Sequence, residues 1–331
     1  MTKRSNPRRL RHRVYRGPAS VAARVPPGEL LLEFFTDQQL FQWRARGKGY
    51  QGYHYLWYYE LEAQRAANQA ALLESLSKVP GCNVDLSGWG RALQYRYSDT
   101  PLSCFGSMKW LGGRFNYGVD IDSTRFAAFP ALYLAESFET GLREMQGLTR
   151  EDNRGGLSAS ELNLCAEHGV AWVPVKGTVG NIFDLTKVSN LDGFAKAIST
   201  FKLSKAVRDT EKQIRVEPMR IIGTPKELLS TFMAENWREF PAVWNTPANP
   251  QLFGHLLNQA GFEGVLFSST RTGEKNLAIF TRQFKNSASS ISACSPPNNA
   301  TCCELNAETY RDLESGSAGA SPRSDPRSDS R

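Results

Sequence analysis

Two segments decide how this chain is read. The first is Gly112-Gly113-Arg114-Phe115-Asn116; the second, beginning seventeen residues past the arginine, is Ala131-Leu132-Tyr133-Leu134-Ala135, which runs into Glu136-Ser137-Phe138-Glu139-Thr140-Gly141-Leu142-Arg143-Glu144. Paired glycines allow a tight turn that presents backbone N–H groups. The arginine after them can fork onto a phosphate or carboxylate. The apolar run 131–135 reads as a buried strand, and the residues after it as the start of a carboxylate-rich helix. An anion-binding arginine, a tyrosine at a buried edge and a helix glutamate this close together are the ingredients of a nucleotide site rather than of a plain hairpin.

Working outward, residues 90–285 alternate strand and helix signals. Tyr95-Arg96-Tyr97 reads as a short strand, as do Val170–Val175, Gly264–Phe267 and Leu277–Phe280, the last two paired around a Thr/Gly-rich turn. Thr224-Pro225-Lys226-Glu227 is a capping box with proline at the first helical position, opening a helix that runs to Glu235 or beyond. Asn249-Pro250 opens another, which Gly261 ends. Before this region, residues 28–89 form a mostly helical extension with leucines at 61, 72, 73 and 76. It carries a dense aromatic group, Tyr50, Tyr53, Tyr55, Trp57, Tyr58 and Tyr59. Such rings can stack on bases, but no basic residues interleave with them, so internal packing is the expected role. Residues 1–27 form an Arg- and Pro-rich arm, and residues 286–331 a Ser/Pro/Asn-rich tail expected to be disordered.

Composition narrows the function classes. The chain has 331 residues, 40% of them hydrophobic and 22% charged, which suits a globular protein with a sizeable core. The net charge of +7 suggests nucleic acid until it is located. Eight of the 40 Lys and Arg lie within residues 1–25, where there is no acid; the other 32 face 33 Asp and Glu. The body is thus near neutral, and contact with nucleic acid is expected only through the arm. The six cysteines make no CxxC pair, and the four histidines are scattered, so no disulfide framework, zinc site or other metal centre is expected. No apolar run reaches a membrane span and no secretory h-region follows the basic start, which implies a soluble, cytoplasmic protein.

Read in order, Arg96-Tyr97, the Gly-Gly-Arg segment, Tyr133, Glu144 and Phe267-Ser268-Ser269-Thr270-Arg271 resemble the RES-domain family. These proteins are named for Arg, Glu and Ser; many are toxins of bacterial toxin–antitoxin pairs. The resemblance spans about residues 90–285 and implies an α+β fold, an ADP-ribosyltransferase-like mixed sheet core with flanking helices. It implies NAD as substrate, no prosthetic group, nicotinamide as product and an antitoxin as partner. It places Arg96, Tyr97, Arg114, Tyr133 and Ser269 on NAD and makes Glu144, Arg114 and Ser269 the catalytic group, with Asn276–Phe280 as closing strand. Tyr15-Arg16 competes with Arg96-Tyr97 for the early pair, Glu136 and Glu139 with Glu144, and Ser268 with Ser269. Two departures stand out: an apparent insertion over Asp120–Phe129 and a long stretch between Glu144 and Ser269.

The residue types suit that chemistry. Arginines hold a pyrophosphate through bidentate charge-assisted bonds, and a tyrosine face stacks on cationic nicotinamide. Cleaving the N-glycosidic bond develops oxocarbenium character on the ribose, which a carboxylate beneath it stabilises. Ser269 would hold a ribose hydroxyl or the nicotinamide amide; without a histidine base it is not expected to be a nucleophile. Three functions follow: cleavage of NAD by hydrolysis or phosphorolysis, transfer of ADP-ribose to a macromolecule, and non-enzymatic binding of nucleic acid.

Overall fold

The computed structural model describes residues 37–146 and 169–314. The expected basic arm, residues 1–27, lies outside them. The chain divides into two compact units, residues 1–49 and 50–331. The described part of the first is the opening of helix α1 (Asp37–Ala67), which continues into the second.

From Tyr53 onward, α1 places Tyr53, His54, Trp57, Tyr58 and Leu61 at helical spacing on one face, and this face packs inward. The Tyr58 hydroxyl donates to the Pro247 carbonyl at 3.2 Å, and His54 stacks on Trp244 at 4.5 Å. The aromatic group is therefore packing between elements. Helix α2 (Gln69–Ser77) buries Leu72 and Leu76 against the helices Asp192–Ile198 and Asn249–Gln259.

Eight strands among the described residues join in one mixed sheet. They are β1 (Cys82–Asp85), β2 (Gly90–Gln94), β3 (Leu132–Ala135), β4 (Val170–Asp184), β5 (Gly264–Ser268), β6 (Lys275–Ile279), β7 (Ser290–Ala293) and β8 (Glu304–Leu305). The 15-residue β4 is the seam. Its first part pairs antiparallel with β2 (Gly90 opposite Pro174), and its last part parallel with β5 (Ile182 opposite Gly264). Because β5 pairs β6, β6 pairs β3, and β3 touches β2, the pairing closes into a ring. Strands β3, β5 and β6 bury nearly every residue on both faces, so they read as apolar runs rather than alternations. Leu132, Leu134, Leu266, Leu277 and Ile279 enter one core, while Tyr133, Val265, Phe267 and Ala278 turn to the other, beneath the helices.

Helix α3 (Phe138–Gln146) follows β3 and packs on β2 and β3. After β4 come α4 (Asp192–Ile198), α5 (Lys205–Ile214), α6 (Pro225–Phe232), α7 (Glu239–Trp244) and α8 (Asn249–Gln259). The architecture is α+β: a mixed sheet flanked by helices.

Four expectations are corrected. Tyr95–Tyr97 is a 3-10 turn, closed by Ser98 N donating to Tyr95 O at 2.9 Å, where β2 leaves the sheet before Pro101. The capping box at Thr224 is present, but α6 stops at Phe232, short of Glu235. Residues 286–314 are not a disordered tail. β7 pairs with β4 from Val175↔Ala293 to Thr178↔Ser290, and β8 pairs with β7. Ile291, Leu305 and Leu313 are fully buried in the second core, so a few well-placed apolar residues order a polar-rich segment. The boundary at residue 89 does not separate structure either, since β1 pairs with β4 inside the same sheet.

Candidate functional site

The Gly112–Asn116 segment is held by side chains rather than by regular structure. Gly112 has φ +82°, and a Cβ there would fall 2.5 Å from Asn116 O and Gly118 N. A Cβ on Gly113 would lie 2.3 Å from the Tyr133 hydroxyl. Asn116 Oδ1 accepts from Gly113 N at 3.0 Å and from the Tyr133 hydroxyl at 2.9 Å, while Phe115 N donates to that hydroxyl at 3.0 Å. From α8, Gln251 Nε2 donates to the carbonyls of Leu111, Gly113 and Asn116. Gly112 N donates to Lys109 O. Both glycine N–H groups are thus used within the protein, so the turn does not offer them to an anion. The glycines serve close packing instead.

Beside this segment lies a cleft of about 240 Å³ bordered by Arg114, Tyr133, Glu144, Arg238, Arg271 and Asn276. Glu144 is at the end of the second turn of α3, and the β5–β6 turn fixes it there. Ser269 Oγ donates to Glu144 Oε1 at 2.5 Å, and Asn276 Nδ2 donates to the same oxygen at 3.3 Å. One turn earlier on that helix face, Thr140 Oγ1 meets Thr272 Oγ1 at 2.8 Å. The Glu274 carboxylate accepts from the hydroxyls of Ser137 and Thr140. The turn is thereby bolted to both ends of the helix.

Spacing explains the choice of glutamate. Thr140 and Glu144 are four apart and share the face toward the turn. Glu139 is one position off and pairs with Arg143 at 2.9 Å, while Glu136 accepts from Lys275 N at 3.1 Å at the strand end.

Ser269 is 4% exposed, and its hydroxyl is fully committed. Arg271 N and Thr272 N donate to Oγ at 3.0 and 3.2 Å, so its single proton goes to Glu144. No donor is left for a ribose hydroxyl. The residue orients the carboxylate, a correction to its expected contact with substrate. Its neighbour Ser268 is exposed at the end of β5.

Arg114 also differs from expectation. Its Nη1 donates to the carbonyls of Phe232 and Ala234, each at 2.9 Å. These acceptors lie at and just past the C-terminus of α6, where carbonyls lack helical partners and a cation is favoured. That anchorage accompanies the early stop of α6. Burial holds the guanidinium below its ordinary range, opposed by the charge of Glu144. Burial likewise pushes the Tyr133 phenol up, so it remains a neutral donor.

Arg96 and Tyr97 stand apart. Arg96 is exposed, donates to Gln94 Oε1 at 2.9 Å and lies 4.9 Å over the Tyr97 ring; neither residue borders the cleft. Arg114, Tyr133, Glu144 and Ser269 are brought together; the early pair is not. Sequence reasoning missed Trp237 and Arg238, which no motif marks, and the role of Asn276, which stood in the closing strand without one.

No protein-family model matches the chain, and no curated protein matches it. Among solved structures it is similar to a chain of the crystal structure of the M. tuberculosis MbcT-MbcA toxin-antitoxin complex, with 15% identity and a TM-score of 0.37, over 74% of this chain and 97% of that one.

Proposed function

We propose that this protein is an NAD-consuming enzyme that cleaves the nicotinamide–ribose bond. One observation carries the reading: a single carboxylate, Glu144, is oriented by Ser269 and Asn276 in a cleft whose other charged groups are three guanidiniums. The motif order of the sequence supports it independently. Both neutral donors, the Ser269 hydroxyl and the Asn276 amide, act on Oε1, which leaves Oε2 for the substrate.

As the C1′–N bond lengthens, positive charge grows on the ribose and nicotinamide leaves as a neutral ring. The Glu144 carboxylate, held in place beforehand, stabilises that charge without reorganising. Water arriving at C1′ completes hydrolysis, giving ADP-ribose and one proton; phosphate in its place gives phosphorolysis. In a cationic cleft a dinucleotide is bound by its anionic diphosphate.

Purified protein incubated with NAD should release free nicotinamide, and Glu144→Gln should lower kcat by about a hundredfold or more. Absence of release from the wild type, or full activity in Glu144→Gln, sinks the reading. ADP-ribose transfer to a macromolecule would instead leave label from NAD on protein or nucleic acid. The toxin role rests on the motif resemblance and is proposed with it, together with an antitoxin partner. Expression of the wild type should arrest growth while Glu144→Gln does not.

A further inference from the structure

The cleft holds more positive charge than its own acids balance. Arg238 lies with its guanidinium 4.6 Å over the ring of Trp237, which is itself 3% exposed. The tryptophan is a buried floor that fixes the direction of the arginine. Among the described residues no carboxylate forms an ion pair with Arg238. Arg271, from the β5–β6 turn, borders the same cleft with its side chain 15% exposed. Among the described residues its one ion-pair contact is long, 4.0 Å to Glu235, a carboxylate that is 62% exposed. The two guanidiniums sense each other: the charge of Arg271 adds to burial in holding Arg238 below its ordinary range. Two like charges facing one cleft, Arg238 exposed and Arg271 largely buried, repel each other and favour an anion between them.

The role of Arg114 completes the picture. Its Nη1 is spent on the carbonyls of Phe232 and Ala234, on the segment that leads into Trp237 and Arg238. It organises the chain that carries the free guanidinium.

We propose that Arg238 and Arg271 form a clamp for a diphosphate group, with Arg114 as the positioning residue that sets Arg238 at the cleft. Two planar forks suit two adjacent phosphates better than one, since each guanidinium can take a phosphate bidentately. The ligand class is a diphosphate ester such as a nucleoside diphosphate or the diphosphate of a dinucleotide. The inference deepens the NAD reading and rests on it for the identity of the natural substrate, but its test does not.

The test is calorimetric titration of the full chain with ADP, inorganic pyrophosphate and adenosine. Wild type should bind ADP well above adenosine, and pyrophosphate should compete with ADP. Arg238→Gln and Arg271→Gln should each weaken ADP about ten- to a hundredfold and leave adenosine unchanged. Arg238→Lys keeps the charge without the fork and should recover only part of the loss. Because Arg238 is exposed and makes no ion pair among the described residues, its variants should melt with the wild type, so the Arg238 arm decides the outcome if Arg271→Gln fails to fold. Equal binding of ADP and adenosine by the wild type, failure of pyrophosphate to compete, or wild-type ADP affinity in Arg238→Gln overturns the clamp. The NAD assay separates the two ideas. Diphosphate binding without nicotinamide release overturns the enzyme and leaves the clamp. Nicotinamide release with an unchanged KM for NAD in Arg238→Gln overturns the clamp and leaves the enzyme.

Discussion

Ser269 and Glu144 work as one unit, and the saturation of the serine hydroxyl sets what its removal should do. Ser269→Ala deletes the 2.5 Å bond to Glu144 Oε1 and leaves two backbone N–H groups, those of Arg271 and Thr272, without their acceptor. The carboxylate then keeps only the longer bond from Asn276, so in the proposed NAD cleavage kcat should fall about tenfold or more while KM changes little. A rise in KM at constant kcat would instead make Ser269 a substrate contact. Gly113 is constrained as tightly. Gly113→Ala puts a methyl group 2.3 Å from the Tyr133 hydroxyl and 2.7 Å from Asn116 Oδ1, both already hydrogen-bonded. Overpacking of this kind should destabilise the protein by about 1–3 kcal/mol, read as a lower denaturation midpoint at unchanged slope.

Among elements, the contact between α3 and the β5–β6 turn controls the site. Thr140 anchors it through Thr272 and Glu274, while Glu144 sits one turn further on. Thr140→Val keeps the shape but leaves the Thr272 hydroxyl and the Glu274 carboxylate each short of a partner. A loss of about 1–3 kcal/mol is expected in chemical denaturation, together with reduced NAD cleavage, since the same turn carries Ser269 and Arg271. The β7–β8 segment is an element that composition hides. Its strand reads Ser290-Ile291-Ser292-Ala293, with Ile291 and Ala293 buried and pairing to the β4 edge. A chain ending at residue 286 should uncover Val175 and Val179 and come out insoluble or without a cooperative melt. A soluble, cooperatively melting truncation would show that the sheet is complete without these strands.

At the scale of the whole molecule, the long α1 is tied to the segment 240–247 through a neutral histidine. His54 Nε2 meets Thr246 Oγ1 at 3.1 Å, and burial pushes its pKa down to about 4 from the ordinary 6.5. In the unfolded chain the imidazole takes a proton as pH falls through 6.5, whereas in the folded protein it resists until about 4. The unfolded state therefore binds more protons in this window, and stability falls as pH is lowered through it. The contribution is fully present above about pH 6.5. Thermal melts across this range should show a steeper loss for wild type than for His54→Asn, which cannot take the proton. Parallel curves would remove His54 from the acid response.

The sequence by itself determined that strands lie about residues 131–135, 264–267 and 277–280, which the structure bounds as Leu132–Ala135, Gly264–Ser268 and Lys275–Ile279, and that prolines open helices α6 and α8. These signals are local: a ring strand buried on both faces must be apolar throughout, and a cap must sit beside the turn it satisfies. It also brought Arg114, Tyr133, Glu144 and Ser269 to attention through their order. Tertiary structure alone decided what each does. Which glutamate meets the serine depends on the face that α3 turns to the β5–β6 turn. Whether an arginine is free for a ligand depends on which carbonyls lie within reach, and those at Phe232 and Ala234 are 118 and 120 residues from Arg114. Arg238 became visible only because the anchored segment sets it, over Trp237, at a cleft whose other residues come from far along the chain. Hydrogen bonds and charge act through space over a few ångströms, and that proximity is fixed by the fold rather than by any pattern along the sequence.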